Sequence, residues 1–153
     1  MVNNPTTQTP KRRAILAGSG SCLPDKKLTN QDLMNIVETN DEWITTRTGI
    51  RTRRIASDGE TTATLAAEAG RRALKDANMS ADEVELIILG TITPEMVFPS
   101  TACFVQDIIG AKNAWAFDLS AACSGFVYGL SIAQQFVSSG RYQNAMVIGA
   151  ETL

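Results

Sequence analysis

The stretch Glu85–Thr91 constrains the fold more than any other. Its interior, Leu86-Ile-Ile-Leu-Gly90, carries no polar side chain. A strand that is apolar at every position, rather than at alternate ones, is buried on both faces, which is the habit of a parallel sheet between helical layers. Trp115–Leu119 and Ala145–Ala150 read as further strands of this kind, and Arg13–Ser19 reads as a short buried strand ending in glycines. Helical patterns separate them. Asn30–Thr39 places Leu33, Ile36 and Val37 on one face, with Thr29 or Asn30 as N-cap. Asp41 opens a short turn to Arg47, and Arg51–Gly59 is a polar, basic connection. Thr61–Asn78 is rich in alanine, which suits close packing on a sheet, and Asn78 is a natural stop. Ser80 and Glu83 have capping-box spacing. Ser100–Ile109 ends near Gly110. Ser124–Ser139 places Phe126, Leu130, Ala133 and Val137 on one face and is closed by Gly140. Strands alternating with helices imply an α/β fold, a mostly parallel sheet covered by helices on both faces.

Composition narrows the function. The 153 residues are 44% hydrophobic and 20% charged, with a net charge of −2. That balance suits one globular domain and gives no general attraction to nucleic acid or to a membrane surface. No apolar run approaches the roughly 18 residues of a membrane span. Residues 1–11 are polar, hold two prolines and read as a flexible tail; 12–153 form the folded unit. Cys22, Cys103 and Cys123 are too widely spaced for a metal cluster or a disulfide framework, so a reducing, cytoplasmic setting is expected.

Cys123 stands apart. It lies in Asp118-Leu-Ser-Ala-Ala-Cys-Ser-Gly-Phe126, between an expected strand and an expected long helix. Ligands of open α/β sheets bind beyond the carboxyl ends of strands, where helix N-termini converge. A helix N-terminus favours negative charge, the thiolate is the reactive form of cysteine, and the unpaired N–H groups of a first turn can hold an oxyanion. Ala121, Ala122, Ser124 and Gly125 leave room for a thioester. This arrangement suits acyl transfer through an S-acyl intermediate. The alternative is a buried structural cysteine, a common fate of free cysteines; Cys22 and Cys103 are read that way. Asp118 precedes the turn on a strand end and is expected to hold backbone rather than act as a base. Trp43 and Arg47, at i and i+4, can share a helix face, as an aromatic plate and a phosphate grip or as a partly buried core residue and a surface charge. Arg51, Arg53 and Arg54 can widen a positive mouth or line a solvated loop.

Ala116–Phe126 closely resembles the active-site segment of the β-ketoacyl-ACP synthase III family of thiolase-like condensing enzymes. Asp41–Ile50, Phe98-Pro-Ser-Thr-Ala-Cys103 and Ile15–Pro24 resemble further segments of the same family, in the same order. The resemblance spans about residues 12 to 153 and implies the N-terminal half of an αβαβα five-layer fold. It implies that Cys123 is acylated by acetyl-CoA or a similar primer, with its own N–H in the oxyanion hole. It implies that Trp43 stacks on the adenine of coenzyme A, that Thr39 and Arg47 hold the nucleotide end, and that Phe98 reaches the partner subunit's acyl pocket and influences chain length. The implied partners are acyl-CoA, malonyl-acyl carrier protein and a second copy of the subunit in a homodimer. Coenzyme A enters as a substrate thioester, and no cofactor is expected.

The family also uses a histidine and an asparagine from its second half, to promote decarboxylation of malonyl-ACP and to stabilise the enolate. This sequence contains no histidine. The chain is therefore expected to be a piece of a longer protein that begins type II fatty-acid synthesis, and to lack condensing activity alone. A half-protein that pairs with a separate second half or with itself is the other possibility. Competing functions are another thiolase-superfamily condensing enzyme of specialised metabolism and a non-catalytic dimerising half-domain.

Overall fold

The computed structural model describes residues 12–153. The tail reading of residues 1–11 lies outside them. The centre is a three-stranded parallel sheet of β3 (Leu86–Gly90), β4 (Trp115–Leu119) and β5 (Met146–Gly149), in the order β4-β3-β5. In register, Ile88 lies beside Phe117 on one side and Val147 on the other.

The central place of β3 explains its sequence. Ile87 and Leu89 point into one core with Ala66, Ala67 and Leu74 of α3 (Thr62–Ala77), Val105 of α4 (Thr101–Ile109), and Met146 and Ile148. Leu86 and Ile88 point into the other, with Ala133 of α5 (Gly125–Ser138), Tyr142, Ile132 and Phe136. Each fully buried leucine or isoleucine here contributes roughly 1.5–3 kcal/mol. Helices thus cover both faces, as the apolar run requires.

Local signals fix the ends. Thr61 caps α3 by accepting from Thr64 N, and Asn78 ends it in the left-handed region at φ 52°. Gly110 ends α4 at φ 82°. Ser80 and Glu83 form their capping box on a single turn, Ala81–Glu83.

Several expectations are corrected. Arg13–Ser19 is not a strand. It runs along α3, held by Ser19 N donating to Asp76 Oδ2 at 2.9 Å, and Ile15 and Leu16 are 86% and 82% exposed. Among the described residues no strand edge pairs with it. The helix expected over Asn30–Thr39 covers only α1 (Asn30–Leu33), capped by Thr29. Ile36 and Val37 are exposed, and a helix this short persists only while it buries an apolar face. In α2 (Asp41–Thr48) the cap is Asn40, while Asp41 accepts from Asn30 Nδ2 at 2.7 Å. The basic connection contains β2 (Thr52–Arg54), antiparallel to β1 (Lys27–Thr29). Finally, α5 packs through Gly125, Gly129 and Ala133, while Phe126 and Leu130 are exposed. The glycines admit the sheet closely, so the larger residues turn outward.

Candidate active site

The site is built where β4 turns into α5. After Leu119 the chain reaches Ala122, whose φ of 45° is one of only two left-handed non-glycine conformations among the described residues. Such a residue persists where its surroundings over-determine it. A single tight turn, Ala122–Ser124, follows, and α5 begins at Gly125. Cys123 occupies the middle of this turn and is exposed. Ser124 makes no side-chain cap, so a hydroxyl does not claim the first N–H groups of α5. The turn therefore offers an exposed thiol at the positive end of a 14-residue helix, with the Ser124 and Gly125 N–H groups already engaged by Ala121 O and Ala122 O.

Asp118 is turned away from this chemistry. Its carboxylate oxygens accept from Thr101 N and Ala102 N, each at 2.7 Å, and so cap α4 on the face of β4 opposite α5. That is the backbone-holding role expected of it. Cys103 is half-buried in α4, with Ser100 Oγ 3.2 Å away and Ala116 O at 3.8 Å. Cys22 is half-buried as well.

The second cluster lies on α2. Trp43 is 54% exposed, and the guanidinium carbon of Arg47 sits 5.0 Å from its ring centroid. Glu38, Thr39, Asn40 and Trp43 line an open cavity of about 320 Å³. Asn40 Oδ1 accepts from Trp43 N at 2.7 Å and fixes the start of the helix beneath the ring. An exposed indole with a stacked guanidinium beside a cavity can take a planar base and a phosphate. Phe98 is 87% exposed, next to Val97 at 100%.

The arginines near β2 serve the scaffold. Arg53 Nη1 donates to Asn30 Oδ1 at 2.8 Å, and Arg54 Nη1 donates to Pro24 O at 2.7 Å. These two are committed to the β1 region, and only Arg51 is left for a positive mouth. Sequence reasoning missed Glu151. Its carboxylate accepts from Thr91 and Thr93 side chains and from Ile92 and Thr93 N–H. An acid directly after an apolar strand, with threonines after its neighbour strand, was the available signal. Among the described residues no group of three or more His, Cys, Asp or Glu is placed to hold a metal. No helix among them is long and apolar enough to cross a membrane.

Known proteins resemble this chain in sequence and in fold. The sequence profile described as 3-oxoacyl-[acyl-carrier-protein (ACP)] synthase III matches residues 117–153, which include Cys123. The β-ketoacyl-[acyl-carrier-protein] synthase III of Caldanaerobacter subterraneus is 59% identical over 143 residues, 94% of this chain and 43% of that protein. The crystal structure of 3-oxoacyl-[acyl-carrier-protein] synthase III from Aquifex aeolicus superposes with a TM-score of 0.87 at 56% identity, over 90% of this chain and 44% of the other. The priming β-ketosynthase of the R1128 polyketide pathway gives 0.90 at 38% identity, over 97% and 45%. The chain thus spans less than half the length of these relatives, and its fold is thiolase-like. By sequence and by fold it belongs to the β-ketoacyl-ACP synthase III family, in which it corresponds to the N-terminal half.

Proposed function

We propose that this chain supplies the acyl-accepting half of a β-ketoacyl-ACP synthase III, a transferase that begins fatty-acid synthesis. The observation that carries this reading is the exposed Cys123 in the tight turn between β4 and α5. The Cys123 thiolate attacks the thioester carbonyl of acetyl-CoA or a similar primer. A new carbon–sulfur bond forms, the bond to coenzyme A breaks, and coenzyme A leaves as its thiolate. The Cys123 N–H holds the carbonyl oxygen as it becomes negative, a kind of contact worth about 10²–10³ in rate. Trp43, Thr39 and Arg47 hold the nucleotide end, the ring stacking on adenine and the guanidinium meeting phosphate. Phe98 lines an acyl pocket shared with a second subunit of a homodimer.

Condensation with malonyl-acyl carrier protein requires a proton-handling group and an enolate stabiliser. These come from the histidine and asparagine of the family's second half, since the present sequence has no histidine. General acid–base help is worth about 10²–10⁴-fold, so residues 1–153 alone have no useful condensing activity. The setting we propose is cytoplasmic, with coenzyme A as substrate and no further cofactor.

Intact-mass measurement after exposure to acetyl-CoA tests the reading. One acetyl adduct, lost in Cys123→Ala, is expected; no adduct on the wild-type protein overturns it. The likeness to the R1128 priming ketosynthase favours a second reading, in which a condensing enzyme of specialised metabolism takes another primer. Substrate profiling of the protein made from its complete reading frame separates the two.

A further inference from the structure

Glu151, at the carboxyl end of the sheet two residues past β5, gathers a dense set of hydrogen bonds. Its Oε1 accepts from Ile92 N at 3.0 Å. Its Oε2 accepts from Thr91 Oγ1 at 3.1 Å, Ile92 N at 3.2 Å, Thr93 N at 3.1 Å and Thr93 Oγ1 at 2.5 Å. The Ile92 and Thr93 N–H groups can only donate, so the position calls for acceptor oxygens, which the two oxygens of a carboxyl group supply. The network reaches further. Thr93 Oγ1 accepts from Thr152 N at 3.0 Å, and Thr62 Oγ1 lies 2.7 Å from Thr152 Oγ1. Glu95 accepts from Ala63 N at 2.8 Å, and its own N–H donates to Thr101 Oγ1 at 3.0 Å.

Residues 91–95 are thus tied to the end of β5 and to the starts of α3 and α4. The next three residues differ in character. Met96, Val97 and Phe98 are apolar and are 49%, 100% and 87% exposed. The loop has a rigid polar root and a projecting apolar tip.

We infer that Glu151 is a positioning residue for acyl-chain selection. Its carboxylate fixes the root of the Thr91–Ser100 loop, the root sets where Phe98 stands, and Phe98 sets the length of acyl group that the pocket shared with the second subunit accepts. This rests on the acyl-transfer reading given above.

The test uses the protein made from its complete reading frame. S-acylation of Cys123 by acetyl-CoA and by hexanoyl-CoA is followed by intact mass for the wild type, Glu151→Gln and Thr93→Val. Glutamine turns an N–H toward donors, and valine removes one donor while keeping the carboxylate. Both variants should change the hexanoyl-to-acetyl ratio of kcat/KM by about tenfold, the scale on which apolar pockets discriminate methylenes. Alkylation of Cys123 by iodoacetamide should keep its wild-type rate. A merely structural role slows both acyl-CoAs alike and leaves the ratio intact, which overturns the inference. Where Glu151→Gln does not fold, an unchanged ratio in Thr93→Val overturns it. If the wild type forms no adduct with either thioester, the acyl-transfer reading itself falls, and the role of Glu151 falls with it.

Discussion

Gly90 and Gly125 meet backbone to backbone at the end of the central strand. A Cβ on Gly90 would fall 2.8 Å from the carbonyl carbon of Gly125 and 3.0 Å from the nitrogen of Phe126. Both obstacles are main chain and cannot swing aside. The first turn of α5 therefore rests directly on β3, two residues after Cys123. Gly90→Ala should push this turn outward and destabilise the fold by about 1–3 kcal/mol, the usual cost of an extra methyl in a filled space. The iodoacetamide alkylation rate of Cys123 should change with it. Urea unfolding and thiol labelling check this; an alanine variant with wild-type stability and wild-type labelling would remove the close contact from the argument.

Asp118 offers a sharper division between scaffold and chemistry. Both of its oxygens are engaged by the first N–H groups of α4. An asparagine in its place would accept one of these bonds and set an N–H against the other. Asp118→Asn should therefore cost about 0.5–2 kcal/mol, as loss of a helix cap does. Cys123 acetylation should stay within a few-fold of wild type. A base would behave otherwise, because losing one lowers the rate by about 10²–10⁴-fold. A drop of that size in the acetylation rate would return Asp118 to the catalytic machinery.

The legible and illegible parts of the chain divide along one physical line. Burial on both faces made β3 readable, and paired start and stop residues made α3 and α4 readable, because each signal lies in adjacent sequence. Cys123 was readable because a strand, small residues and a helix adjoin it. The failures needed information from far along the chain. β2 exists because Thr52–Arg54 finds Lys27–Thr29, which periodicity over three residues does not show. The face that α5 turns to the sheet departs from the apolar periodicity because Gly129 approaches Val147 so closely that Phe126 and Leu130 are left outside. Glu151 escaped notice because its donors lie about 60 residues upstream, a separation that no local pattern spans.

Trp43 is held by its helix and not by the core. It is 54% exposed, and Arg47 lies over its ring. Trp43→Ala should leave the urea midpoint near that of the wild type. Base stacking on an aromatic ring is worth about 1–3 kcal/mol, so coenzyme A affinity should fall by roughly tenfold or more. Calorimetric titration with coenzyme A measures this. Equal affinity in the variant would show that the indole does not carry the nucleotide, and the cavity beside Thr39 would lose its assignment.

Acid should weaken two helix starts by one mechanism. The Thr29 hydroxyl, then the Thr29 backbone N–H, hold the Asp32 carboxyl below its ordinary pKa; the Ser80 backbone N–H, then its hydroxyl, do the same for Glu83. Each carboxylate is favoured by donors that exist only in the folded capping box. A depressed folded pKa means that the stabilisation is fully present above the unfolded values, roughly pH 4 to 4.5. It is lost as pH falls through the lower folded values. Both groups are on the surface, so the effect is small and is best read as a difference. The double variant Asp32→Asn, Glu83→Gln should have a lower urea midpoint than the wild type at pH 7. The gap should narrow as the pH drops below about 4, where the carboxylates of the wild type take up protons. A gap that stays constant from neutral pH into that acid range would mean that the two carboxylates act through shape alone, with no contribution from their charge.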